Sequence, residues 1–255
     1  MTTSTINARP HTTGAFARVA NVARLHLVNT GQILVVPWLI LGFIFSIWWL
    51  IGLLLWSNLS EEQIANASEG MQYNGSLGYF LVYMLILAVM AISQTFPFAQ
   101  SYSVTRRDFY FGTVLAFTLL SATHSILITL LGWIEDLSIG WGVNVVFFSP
   151  DYLGDNLLSR FALIFIMFLF FFMLGMAVAS VYVRWRVNGM LIFFASLTVL
   201  VLGLVFLATM SGSWPAVGAW FAATGFAGVV TWSLVPTVLA TFFGFVLLRR
   251  ATPRN

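Results

Sequence analysis

The chain has 255 residues, of which 60% are hydrophobic and 7% charged, with a formal net charge of +3. Soluble domains carry about 25% charged residues. A chain this poor in polarity cannot cover a water-facing surface, so the composition excludes a soluble globule and defines an integral membrane protein. Cysteine is absent, so no redox compartment can be read.

In chain order, residues 1–32 are polar and lack the apolar stretch of a secretory signal, and they read as a retained N-terminus. Within them Phe16, Val19, Ala20, Ala23 and Leu27 share one stripe at the helical period, with Arg18, Asn21 and Asn29 opposite. Residues 14–30 are therefore expected to form a helix lying in the membrane interface, although Val22 and Leu25 interrupt its polar face.

A hydrocarbon core of roughly 30 Å needs about 20 apolar residues in a helix. Charge-free runs predict helix 1 over Ile33–Trp56, helix 2 over Leu77–Phe98, helix 3 over Phe109–Ile134 and helix 4 over Phe161–Val183. No charge separates Arg186 from Arg249, a gap of 62 residues, which is too long for one span. Two spans, Met190–Met210 and Val229–Leu248, leave a Gly-, Ser- and Pro-rich segment at 211–228, expected to be re-entrant.

The expected fold class is all-α integral membrane, with six transmembrane helices, an N-terminal interfacial elbow helix and that re-entrant element. One transmembrane domain (33–248) lies between the N-terminus (1–32) and a tail (249–255).

Six spans sort the charges. Arg9, Arg18, Arg24, Arg106, Arg107, Arg184, Arg186, Arg249, Arg250 and Arg254 all fall on one side, expected to be cytoplasmic and to hold both termini. Arg160 falls on the other side with every acid except Asp108. That outer side carries N-x-S patterns at Asn58, Asn66 and Asn74, which matter only in a secretory-pathway protein. The setting expected here is a bacterial plasma membrane.

Little chemistry is available in the spans. They hold no Asp, Glu, Lys or Arg away from their ends, and His124 is the one ionisable side chain at depth. His11 and His26 lie in the N-terminus, so neither a metal set nor a Ser-His-Asp set assembles, and no catalytic or metal-binding residue is expected. His124 reads first as a neutral ring bonded to a Ser or Thr such as Ser121, Thr123 or Ser125, on the same helix or a facing one, and second as a proton relay or substrate contact. Ser93, Gln94, Thr95, Thr198 and Thr209 are the polar side chains that, with His124, could line a substrate path. Interhelical hydrogen bonds, worth about 0.6 kcal/mol each, account for them equally well. Lysine is absent, so the chain has no phosphate-binding loop of the G-x-x-x-x-G-K-[ST] form. Energy for vectorial work would have to come from another chain.

The densest charge is in TRRDFYFGT, residues 105–113. Arg106 and Arg107 satisfy the positive-inside rule, and Asp108 is expected to cap helix 3. The stretch also resembles the segment small-x-R-R-x-F-x-x-G-[ST] between helices 2 and 3 of six-helix permeases of the type-2 ABC exporter class, through Arg106, Arg107, Phe109, Gly112 and Thr113. The layout is similar over nearly the whole chain: an elbow helix, a proline (Pro37) near the start of helix 1, and a re-entrant element between helices 5 and 6.

The resemblance implies that Arg106, Arg107, Asp108 and Phe109 form a coupling loop that docks on a separate nucleotide-binding ATPase subunit, which would hold ATP and Mg. It also implies a second permease copy. No cofactor is expected in this chain, and no nucleic-acid partner. The expected function is the permease of an exporter for an amphiphilic substrate such as a peptide antibiotic, a drug or a lipid-like molecule. The alternatives are a secondary transporter or channel without an ATPase, and a membrane anchor that recruits a cytoplasmic partner.

Overall fold

The structure is a computed structural model that describes residues 14–250, apart from 61, 64–66, 68, 69, 72 and 155. The expectations that rest on Arg9, His11, Glu61, Asn66, Glu69, Asp155, Arg254 and the two chain ends lie outside the described residues.

Among the described residues the fold is helical throughout, with no strand. Helix α1 covers Ala15–His26. A wide turn at Gly31–Val35 leads into α2, Val36–Asn58. Then come α3 (Ser76–Ser101), α4 (Arg106–Leu137), α5 (Leu157–Met210), α6 (Trp214–Trp232) and α7 (Leu234–Arg249). Counted by length and apolarity among the described residues, five helical segments can cross a membrane, with α6 and α7 running on as one of them.

The α5 segment has 54 residues, about 80 Å at roughly 1.5 Å per residue. It is not one rod. Arg186 has φ 57° and ψ −148°, which breaks the helix between Trp185 and Val187. The helix α6 is broken in the same manner at Gly225 (φ 64°, ψ 177°). Pro215 does not interrupt α6, because it stands in the first turn, where its missing N–H has no partner to lose. The irregular backbone of 211–228 is therefore confined to the turn at Ser211–Ser213 and the break at Gly225.

The first rod of α5 is the hub, packed against α3, α4 and α7. Phenylalanine fills the space between them: Phe117 stacks on Phe172 at 4.9 Å, and Phe80 meets Phe168 edge-on at 5.2 Å. A Cβ on Gly175 would lie 2.7 Å from the Leu85 carbonyl oxygen, so α3 and α5 meet there with no room for a side chain. The second rod differs. No residue from Val187 to Met210 is buried in the chain.

At the far end of α4 from Arg106, Glu135 is 1% exposed. It accepts the Trp141 indole N–H at 2.7 Å, the backbone N–H groups of Phe147 (2.9 Å), Phe148 (3.0 Å) and Ser149 (3.0 Å), and the Ser149 hydroxyl (2.8 Å). Beside it Arg160 pairs with Asp136 at 2.8 Å. The loop 138–154 is thereby folded back onto the helix end, since a buried carboxylate needs that many donors.

The Gly175 contact can be tested directly. Gly175→Leu should cost roughly 1–3 kcal/mol through overpacking and lower the thermal midpoint in detergent. Gly42→Leu, where a side chain meets nothing within 4 Å, should leave it near the unaltered value. Equal effects would contradict the packing.

Candidate functional site at the Arg106 end of the bundle

The first turn of α4 holds Arg106, Arg107, Asp108 and Phe109, the residues expected to form the coupling loop. Thr105 is the N-cap: its hydroxyl accepts the Asp108 N–H at 3.1 Å. This corrects the expectation that Asp108 caps the helix. With the cap supplied by Thr105, the Asp108 carboxylate turns to α1 and accepts the Arg18 Nε–H at 2.8 Å.

Phe109 is 0% exposed. Its ring meets Phe96 edge-on at 5.2 Å and lies 5.5 Å from the His26 ring. It faces the interior as part of the contact between α3 and α4, where the two rings fill core space. Phe109 is therefore not exposed for the docking expected of it.

A Cβ on Gly112 would lie 2.5 Å from Val22 Cβ and 2.8 Å from the Val19 carbonyl oxygen, so glycine lets α1 lie directly on α4. Next to it the Thr113 hydroxyl donates to the Phe109 carbonyl at 2.8 Å. Its hydrogen is thus committed, and His26 Nε2, 2.8 Å away, is the donor of the pair. The four residues 108, 109, 112 and 113 together form a clasp for α1.

The face that α1 presents differs from the sequence expectation. The buried residues are Val22, Ala23 and His26, while Phe16 is 80% exposed. The docked face is rotated by about 70° from the stripe of Phe16, Val19, Ala20, Ala23 and Leu27, and shares Ala23 with it. Val22, an interruption of the polar face in the sequence, is the closest contact.

The two arginines part ways. Arg106 donates to the Arg249 carbonyl at 3.0 Å, at the C-terminal end of α7, where a cation meets the negative end of the helix dipole. Tyr110 strengthens the same junction by donating its hydroxyl to the Thr241 carbonyl. Arg107 is exposed, its guanidinium 5.7 Å from the centre of the Phe111 ring. Of the four residues expected to dock a partner, Asp108 and Phe109 are buried, Arg106 is half-buried and Arg107 is exposed.

A groove of about 440 Å³ opens between α1 and the turn at 102–105. Arg18, Asn21, Leu25, Phe98, Tyr102 and Asp108 line it. The sequence did not single out Tyr102, which is among the most exposed aromatics of the chain.

The expected substrate-path residues do not converge. Gln94 and Thr95 line a second groove, of about 540 Å³, together with His26, Asn29, Gln32 and Tyr83. Ser93 is outside that lining and donates to the Met90 carbonyl. Thr198 donates to the Phe194 carbonyl, and Thr209 to the Val205 carbonyl while accepting the Trp214 indole N–H at 3.1 Å. Both lie on the exposed second rod of α5.

His124 is elsewhere again, fully buried beside Phe80 and Phe168. Its Nδ1 accepts the Trp38 indole N–H at 3.2 Å. Ser121, Thr123 and Ser125 all bond backward to carbonyls of their own helix, so the expected serine or threonine partner is replaced by a tryptophan from α2.

The fold defines a helical multi-pass membrane protein, with buried polar groups at both ends of α4 and along its middle. Comparison with protein-family models, curated proteins and solved structures gives no match.

Burial lowers the His26 pKa from 6.5 to about 4. The neutral ring is the form that fits against Thr113. Because the value falls on folding, the docked state is fully favoured above the ordinary value and loses stability as pH drops toward the folded one. Hydrogen exchange in α1, corrected for intrinsic rates, should therefore quicken between about pH 6.5 and about pH 4. His26→Phe should remove that dependence. Unchanged protection across this range would contradict the burial of His26.

Proposed function

We propose that this chain is the permease subunit of an ATP-driven ABC exporter, energised by a separate ATPase subunit. The observation that carries the reading is the exposed ledge of Tyr102, Ser103 and Arg107 beside the groove under α1, on a chain that has no lysine and hence no phosphate-binding loop. ATP and Mg would be held by the partner.

Counting α5 as two spans divided at Arg186 turns five crossing segments into six. The arginines at 18, 24, 106, 107, 184, 186, 249 and 250 then share the cytoplasmic side, which puts both termini there. In that frame α1 is an interfacial elbow, with Phe16 toward lipid and Val22 toward α4. The short helix ending at Gly225 is a re-entrant element whose freed backbone groups need protein or water. The membrane is the plasma membrane of a bacterium.

A second copy of the chain would cover the second rod of α5, which nothing in one chain buries. The substrate would be amphiphilic, taken from the membrane along the groove that Gln94 and Thr95 line. The burial of Phe109 and Asp108 narrows the docking surface to Tyr102 and Arg107.

The test is co-purification of a Mg-dependent ATPase with the affinity-tagged chain from its native membranes. Tyr102→Ala with Arg107→Glu should weaken retention more than about tenfold, since truncating an interface anchor costs about 2 kcal/mol or more. Phe109→Ala should instead lower the thermal midpoint of the chain itself. A double variant that retains the ATPase and its coupling would overturn the proposed docking surface.

A further inference from the structure

The break in α5 creates a cavity that the proposed function does not use. It measures about 630 Å³ and is bounded by the end of the first rod, the start of the second and α7. Arg184 and Arg186 stand in its wall. The Arg184 guanidinium lies over the Trp185 ring at 4.5 Å, and that of Arg186 over Tyr182 at 6.0 Å. Ile192, Phe193 and Phe243 supply an apolar surface from two different helices. Among the described residues, no carboxylate lines the cavity.

Two further observations bear on it. Arg186 holds a backbone conformation (φ 57°, ψ −148°) that residues with a Cβ rarely adopt, so the bend needs support from its surroundings. The second rod, Val187–Met210, gains no such support from burial within the chain.

We propose that this cavity binds an anionic phospholipid, with its phosphate held by Arg184 and Arg186 and an acyl chain lying over Ile192, Phe193 and Phe243. The charge and shape match such a lipid at both ends. Guanidinium groups take phosphate oxygens through paired hydrogen bonds, and tryptophan and tyrosine suit the headgroup level. An acyl chain fills the wedge between the rods without needing any hydrogen-bond partner. A free inorganic phosphate would use the arginines but leave the apolar wall uncovered. The bound lipid would act as a splint that fixes the angle of the second rod. This inference does not depend on the exporter reading, because it needs no ATPase.

The experiment uses the full chain, delipidated in detergent, with phosphatidylglycerol and phosphatidylcholine of identical acyl chains as probes. Native mass spectrometry counts the retained lipid. Phosphatidylglycerol should be retained at least about tenfold more tightly than phosphatidylcholine, on the basis of roughly fivefold per interfacial arginine. Arg184→Gln with Arg186→Gln should abolish that preference. Ser196→Trp, at an exposed position of the cavity wall, should block the lipid with both arginines intact. Arg249→Gln, outside the cavity, should leave retention unchanged.

Equal retention of the two lipids by the unaltered chain would overturn the proposal. So would a double variant that keeps the preference. If Ser196→Trp binds as the unaltered chain does, the arginines act as surface charge alone and the cavity is not the site.

Discussion

Glycine at position 112 removes the side chain that would otherwise hold α1 away from α4, and Val22 moves into the space. The remaining contacts at this end follow from that approach. With α1 seated, Arg18 is in reach of Asp108 and His26 is in reach of Thr113. Their weights differ. The Arg18 side chain is 47% exposed, and an ion pair so open to solvent is worth about 1 kcal/mol at most. It orients the helix. The close packing at Gly112 and the buried His26–Thr113 bond hold it, because separating them would expose apolar surface and leave buried polar groups unpaired.

The same logic governs the opposite end of α4. Glu135 is a buried carboxylate, and it is tolerable only because the loop at 147–149 brings its backbone N–H groups to it. Thus α4 is fastened at both ends by polar contacts, while its middle is packed by Phe117 and Leu120. At mid-helix Ser121 and Ser125 bond to carbonyls of α4 itself, and His124 takes its partner, Trp38, from α2. The second rod of α5, beyond the Arg186 break, and α6 share little of this packing: the former buries no residue and the latter only Val230.

The coarse architecture was legible in the sequence because it follows from composition along the chain. Charge-free runs marked the long helices, and their ends moved by only a few residues: the start of α4 shifts from Phe109 to Arg106, because Thr105 and not Asp108 accepts the capping bond. The arginine pair at 184 and 186 marked the place where α5 breaks. The site was less legible. Phe109 beside two arginines reads as an exposed interfacial aromatic, and its burial depends on Phe96 and His26, which no spacing rule connects to it. The docked face of α1 was misjudged for a related reason. A helix between lipid and protein has two apolar sides, so a single stripe cannot say which one meets the bundle. The donors to Glu135 are mostly backbone groups and leave no mark in the sequence at all.

The central claim is that α1 lies against α4 at Gly112. The chain has no cysteine, so a pair introduced as Val22→Cys and Gly112→Cys reports on that contact alone. The Cβ separation of 2.5 Å is shorter than the roughly 3.5–4.5 Å of a disulfide, and a shift of about 1 Å brings the sulfurs into bonding geometry. Mild oxidation should cross-link this pair in nearly every molecule, and far faster than Phe16→Cys with Gly112→Cys. A 22–112 pair that cross-links no faster than the 16–112 pair would contradict the clasp.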